Sequence, residues 1–343
     1  MLASPDLSTT ATGSPNLSSP DPNASTSAAS EQLNLAVLGG GAWGSALAYL
    51  AGLNAHPVTI WSRRNGDDLA TSVSQADVIL SAISMKGVAD VVQQLQQFTI
   101  PEDVIFVTAT KGLDPQTTRT PSQIFATAFP NNPVIVLSGP NLSKEIDQGL
   151  PAATVLASTD QAAAETLQQM FASEQLRVYT SADPIGAELG GTLKNVIAIA
   201  VGVCDGLKLG TNAKSALITR ALPEVIRIGM HLGATEVETF YGLSGLGDML
   251  ATCSSSLSRN YRVGYGLAQG QSLEQVLETL GGTAEGVNTA HVLMKIANRE
   301  GIPVPISRQV ERLLRGRITP VEAVEALMER DLKPEACDLD DYE

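Results

Sequence analysis

Four apolar residues, Leu35 to Leu38, run into Gly39-Gly-Gly-Ala-Trp-Gly44, and a helical pattern begins at once through Ser45 to Tyr49. The order reads as strand, tight turn and helix. The first glycine allows the turn, the second lets backbone approach a pyrophosphate, and the third lets helix and strand pack closely. Free N–H groups at the helix start, reinforced by its dipole, favour phosphate there. Glycines at this spacing are weak evidence alone, because a purely structural turn uses them too; the flanking strand and helix supply the confirming context. Gly39, Gly41, Ala42, Trp43 and Gly44 are therefore candidate dinucleotide contacts.

Strand-like runs recur at 35–38, 58–61, 78–83, 104–109, 134–137, 153–157 and 177–179, most of them separated by helical stretches such as 42–54, 87–97 and 161–171. Alternation of this kind predicts a parallel sheet covered by helices. Ligands in such sheets bind beyond the carboxyl ends of the strands, so the loops Ser84–Lys86, Thr110–Gly112 and Ser138–Asn141 should line a site. After Tyr179 the strand pattern stops, and a helical half continues to about Leu332. Ser272-Leu-Glu-Gln275 and Thr319-Pro-Val-Glu322 read as capping boxes there. The predicted organisation is a tail over 1–32, an α/β Rossmann-type dinucleotide-binding domain over 33–182, an all-α substrate domain over 183–332 and an acidic tail over 333–343. Residues 1–32, rich in Ser, Thr, Pro and Ala, read as disordered. With no Lys or Arg before Arg63 and no apolar core, they do not read as a targeting peptide.

The net charge of −14 argues against nucleic acid or an anionic membrane as the main partner and makes the few cations informative. Cys204, Cys253 and Cys337 show no CxxC spacing, so reduced thiols in a cytoplasmic protein are expected, with no disulfide frame and no metal site. The dispersed His56, His231 and His291 give little support to a histidine-based triad. Ile185–Val203 is the nearest approach to a membrane span, but Glu188, Lys194, Asn195 and its glycines mark a buried helix instead.

The second strand ends in Ser62-Arg63-Arg64, with no acid until Asp67. An acid there would hold the ribose hydroxyls of NAD; two guanidinium groups suit a 2′-phosphate, favouring NADP(H), with NAD(H) as the second choice. The competing reading is a solvated arginine pair. Lys194 in an apolar helix is either an ammonium that merely reaches a cleft or a general acid for the alkoxide formed when a ketone is reduced. Arg259, beside Ser258 and Asn260, offers a planar fork for a phosphate or carboxylate; an arginine that simply starts a helix is the alternative.

Together these parts resemble the bacterial-type NAD(P)-dependent glycerol-3-phosphate dehydrogenase family. The resemblance runs from Leu35 to about Arg330. It is carried by Gly39–Gly44, Ala109-Thr-Lys111-Gly112, Leu137-Ser-Gly-Pro140 with Lys144-Glu145, Gly190-Gly-Thr-Leu-Lys194-Asn195, Asn212–Arg220, Gly245-Leu-Gly-Asp248, Ser258-Arg-Asn260 and Glu285-Gly286. It implies reversible reduction of dihydroxyacetone phosphate to glycerol 3-phosphate, feeding phospholipid synthesis, and it allows a homodimer. It makes Lys194 the general acid or base, puts Lys111 on the substrate, and has Asp248 and Asn195 orient the site. Ser258, Arg259 and Asn260 fall on the substrate's phosphate end, and Gly139 and Asn141 on its loop. Trp43, Ser143, Glu285, Lys111 and Arg259 match cofactor contacts. Related hydroxyacid or ketopantoate reductases, and a non-catalytic NADP(H) sensor, are the competing readings. The chain departs from the family in one place. Only sixteen residues separate Ile60 from Asp77, enough for a short crossover but not for the usual further helix and strand. The sheet is therefore expected to lack its third strand, leaving the adenine side more open.

Overall fold

The computed structural model describes residues 32–332 and 334–335. The proposed tails, except for Gln32, Pro334 and Glu335, lie outside the described residues, as does Cys337. The first half alternates β1 (Leu35–Leu38), α1 (Ala42–Leu53), β2 (Val58–Trp61), α2 (Leu69–Val73), β3 (Val78–Ser81), α3 (Val88–Leu95), β4 (Ile105–Thr108), α4 (Pro121–Ala128), β5 (Val134–Ser138), α5 (Ser143–Ile146), β6 (Ala152–Ala157), α6 (Gln161–Phe171) and β7 (Leu176–Ser181). All seven strands join one sheet in the order β2-β1-β3-β4-β5-β6-β7.

Side chains alternate across the pleat, so each strand feeds two cores. Leu35 and Val37 pack with Leu47, Leu50, Leu167 and Phe171 on one face. Ala36 and Leu38 pack with Trp61, Val88, Val92 and Phe106 on the other. Because both faces are covered, β1 and β3 are buried at every position, as the near-continuous apolar runs require.

β3 pairs directly with β1, leaving β2 at the edge. Among the described residues no strand lies beyond β2, so the expected loss of the third strand is what the sheet shows. One expectation needs correction: the sheet is not wholly parallel, because β5 and β6 run antiparallel. The helix between them is the single turn Ser143–Ile146, which rises about 6 Å, whereas carrying the chain back along a five-residue strand requires about 17 Å. The chain therefore re-enters the sheet from the same end.

The second half contains α7 (Pro184–Gly206), α8 (Gly210–His231), α9 (Glu238–Tyr241), a π-turn over Leu243–Gly247, α10 (Asp248–Ser254), α11 (Arg259–Ala268), α12 (Leu273–Thr279), α13 (Glu285–Glu300), α14 (Pro305–Leu314) and α15 (Pro320–Met328). The expected capping boxes at Ser272 and Thr319 both form. A third, Thr120 with Gln123, starts α4. The axis of this half is α7, apolar all round. Leu189, Leu193, Ile197 and Val201 face one core, and Val196, Ile199 and Val203 face another. Its backbone touches that of α11, where a Cβ on Gly264 would lie 1.8 Å from the Ile199 carbonyl oxygen. Contrary to the expectation that its polar residues disqualify it, α7 is long and apolar enough to cross a bilayer; 94% of its apolar stretch is buried inside the fold, as expected of a core helix.

Candidate active site

The glycine loop is fixed by contacts that leave no room for side chains. Gly39 has φ +125° and a Cβ there would meet the Ala82 carbonyl at 2.8 Å; one on Gly44 would lie 1.9 Å from the Gly39 oxygen. Gly41 differs, with nothing among the described residues within 4 Å of its Cβ position. It is also the N-cap of α1 and, having no side chain, leaves the first N–H groups uncapped. An open cradle lined by unpaired helix-start donors fits a dinucleotide's pyrophosphate. Ala42 opens the helix, and Trp43 is tied to the next loop through Nε1 donating to the Ala109 carbonyl at 3.2 Å.

That loop carries Lys111 just beyond β4. Gly112 N–H donates to Thr192 Oγ1 of α7 at 3.0 Å, bringing the sheet's ligand edge against the helical half. Gly191 makes the approach feasible: a Cβ there would fall 2.5 Å from Ser138 Oγ and 3.2 Å from Lys111 Cε. Three charges meet at this seam. Lys194 of α7 donates to Asp248 Oδ1, and Lys111 donates to Asp248 Oδ2. Lys194 also donates to Thr252 Oγ1, which lies one helical turn after Asp248. Lys194 and Asp248 are only 6% and 2% exposed. Burial lowers the Lys194 pKa to about 8; the Lys111 charge pushes the same way and Asp248 opposes. An ammonium poised there is a proton donor matched to neutral pH.

Asn195 is buried beside Lys194, and its side chain has no hydrogen-bond partner among the described residues. A Cβ on Gly286 would sit 2.6 Å from the Asn195 carbonyl, and the Gly286 N–H donates to Asn260 Oδ1 at 3.0 Å. This joins the start of α13 to the start of α11, where Arg259 is exposed with its Nη1 near Gly282. Ser258 is the N-cap of α11 and accepts from Tyr261 N–H, which leaves its hydroxyl proton for a ligand. Glu285 has a carboxyl pushed up by burial, lies near Arg259 and contacts the Gly112 region. On the other side of Lys111, Gly139 turns at φ +152° against the Ala153 carbonyl, and Asn141 Nδ2 donates to Thr154 Oγ1 at 2.9 Å. Ser143 begins α5.

The lysine pair, Asp248, Asn195, Asn260, Arg259 and Glu285 thus form a linked chain of contacts. Arg63 and Arg64 lie apart from it, exposed after the edge strand in a turn whose Ser62 Cβ is 3.3 Å from the Cβ position of Gly40. Thr252 and Thr192 escaped the sequence reading. The i, i+4 spacing of Asp248 and Thr252 was the available signal. The histidines serve elsewhere: His56 accepts from Leu33 N–H, His231 faces Glu300 and His291 faces Glu311. Cys204 and Cys253 are free and buried.

Comparison with known proteins gives a consistent picture. Residues 183–325 match the model for the C-terminus of NAD-dependent glycerol-3-phosphate dehydrogenase, and residues 34–67 and 64–164 match the N-terminal model. The two N-terminal matches overlap at 64–67, in the turn after β2. The chain is 67% identical over 305 residues to glycerol-3-phosphate dehydrogenase [NAD(P)+] of Acaryochloris marina, covering 89% of this chain and 98% of the relative. It is also 67% identical over 304 residues to the Synechocystis protein of that name, covering 89% and 96%. The crystal structure of glycerol-3-phosphate dehydrogenase from Coxiella burnetii superposes with a TM-score of 0.83 at 32% identity, over 87% of this chain and 99% of that one.

Proposed function

The chain belongs to the NAD-dependent glycerol-3-phosphate dehydrogenase family, and we propose that its two halves meet to reduce dihydroxyacetone phosphate reversibly to glycerol 3-phosphate with NADPH or NADH. The observation that carries this reading is the buried Lys194–Asp248–Lys111 bridge at the seam between sheet and helices. We assign residues 33–182 to the cofactor and 183–332 to the substrate.

Reduction of the ketone adds a hydride to the carbonyl carbon and a proton to its oxygen. The nicotinamide, when bound, supplies the hydride. Lys194 donates the proton to the carbonyl oxygen, and its charge stabilises the developing alkoxide. Asp248 holds both ammonium groups in place, with Thr252 fixing the Lys194 rotamer. Lys111 and the unpaired amide of Asn195 orient the substrate, with the Gly139–Asn141 loop closing that side. Arg259, Asn260 and the Ser258 hydroxyl take the phosphate. The glycine loop, Trp43, Ser143 and Glu285 hold the dinucleotide, and Arg63 and Arg64 favour a 2′-phosphate. Much of the rate then comes from orientation rather than from new bonds to protein.

That the product feeds glycerophospholipid synthesis is what membership of the family implies. A cytoplasmic location is supported by the free thiols of Cys204 and Cys253. A homodimer, allowed by the family reading, is checked by light scattering. The testing experiment is a steady-state assay with dihydroxyacetone phosphate, NADPH and NADH side by side. Turnover on dihydroxyacetone phosphate supports the reading; activity confined to ketopantoate or hydroxyisobutyrate, or cofactor binding without any oxidation, overturns it.

A further inference from the structure

Where a dinucleotide-binding sheet uses NAD, an acid near the end of the second strand holds the ribose hydroxyls. Asp67 is the first acid after β2 and would be the natural occupant of that role. Its contacts point elsewhere. Asp67 Oδ2 accepts from the Ser62 N–H at 3.2 Å, and its carbonyl accepts from Trp61 Nε1 at 2.9 Å. Trp61 is itself anchored, 5% exposed, in the core with Leu69 and Val73. Between these two ties the chain makes a tight turn: Asn65 N–H donates to the Ser62 carbonyl at 3.0 Å, Gly66 N–H to the Arg63 carbonyl at 3.4 Å, and Gly66 adopts φ +75°. Arg63 and Arg64 occupy the turn, exposed, with no side-chain partner among the described residues. Among the described residues no further strand beyond β2 braces this segment.

We infer that Asp67 is a positioning residue for cofactor selection: it closes the Ser62–Asp67 turn so that Arg63 and Arg64 face the 2′-phosphate of NADPH. This rests on the cofactor assignment above. A turn ordered before binding spares the cost of ordering two long side chains on a loose loop. Charge works against the same acid, since a carboxylate near a 2′-phosphate repels it, so the two effects of removing Asp67 have opposite signs. Asp67→Ala loses both the repulsion and the turn contact. Asp67→Asn loses only the repulsion, because its amide oxygen still accepts from Ser62.

The test measures the dissociation constants of NADPH, NADH and adenosine 2′,5′-bisphosphate by fluorescence or calorimetric titration, without turnover. Asp67→Ala is expected to weaken NADPH and the bisphosphate by about fivefold or more while NADH moves less than about twofold. Asp67→Asn is expected to bind NADPH at least as tightly as the parent. Three results would overturn the inference: Asp67→Ala weakening NADH more than NADPH, which makes it a ribose ligand; both variants binding NADPH more tightly, which makes it a bystander charge; or Asp67→Ala changing both cofactors equally. The double variant Arg63→Ala/Arg64→Ala separates this from the underlying reading. If that variant leaves the NADPH-to-NADH ratio unchanged, the arginine assignment itself fails.

Discussion

Lys194 and Asp248 hydrogen-bond where both are nearly excluded from solvent, although they lie 54 positions apart in the chain. Asp248 spends its other oxygen on Lys111, so one carboxylate balances two ammonium groups. Burying charges this way is costly unless each is paired, and removing one partner leaves the others uncompensated.

Burial has already lowered the Lys194 pKa to about 8. With Lys194 as the proposed proton donor, reduction needs the ammonium and oxidation needs the free amine. The kcat for ketone reduction should therefore fall as pH rises through about 8, while that for alcohol oxidation rises. Asp248 favours the charged form, so Asp248→Asn should move both breaks to lower pH. Profiles of kcat in the two directions check this; breaks that stay in place in the variant count against the pairing.

Arg259 is exposed at the start of α11, and in the proposed site it takes the substrate's phosphate before the chemical step. Losing a charge-assisted contact costs about 1.5–3 kcal/mol, or roughly a 10–150-fold change. Arg259→Ala should raise KM for dihydroxyacetone phosphate by that factor with a much smaller change in kcat. A variant losing kcat at unchanged KM would place Arg259 in the transition state instead.

Glu188 lies on α7 before Lys194 and is 2% exposed, accepting from Ser122 N–H at 2.9 Å and from the Ser122 hydroxyl. Burial raises its pKa from 4.5 to about 7, against the pull of the Ser122 and Thr120 hydrogen bonds. The folded chain therefore holds this proton more tightly than the unfolded chain, and stability drains away as pH rises from about 4.5 to about 7, by up to about 3 kcal/mol. Glu188→Gln keeps an acceptor and removes the ionisation. Denaturant melts at pH 5 and pH 8 should show that the variant loses less stability between the two; an unchanged difference would mean Glu188 ionises freely.

Much of the sheet half was legible because its signals are local. Leu35–Gly44 encodes strand, turn and helix within ten residues, and the capping boxes at Ser272 and Thr319 are set by residues three apart. The antiparallel β6 was not legible, because strand direction depends on where a one-turn helix lets the chain re-enter. Nor does local pattern reveal the bridge itself. Lys111, Lys194 and Asp248 meet only because Gly191 lets α7 close on the sheet edge, a contact between segments far apart in sequence. Family resemblance singled those residues out; tertiary packing explains why one carboxylate serves both lysines. Ser258 shows the reverse case, a residue marked for substrate whose oxygen also caps its helix.

The central claim is that Lys194 supplies the proton. It is tested most directly by measuring kcat for dihydroxyacetone phosphate reduction by Lys194→Ala alongside its NADPH dissociation constant. The variant should lose about 100-fold or more in kcat with NADPH binding within about twofold of the parent. A variant that retained kcat within a few-fold would contradict the claim.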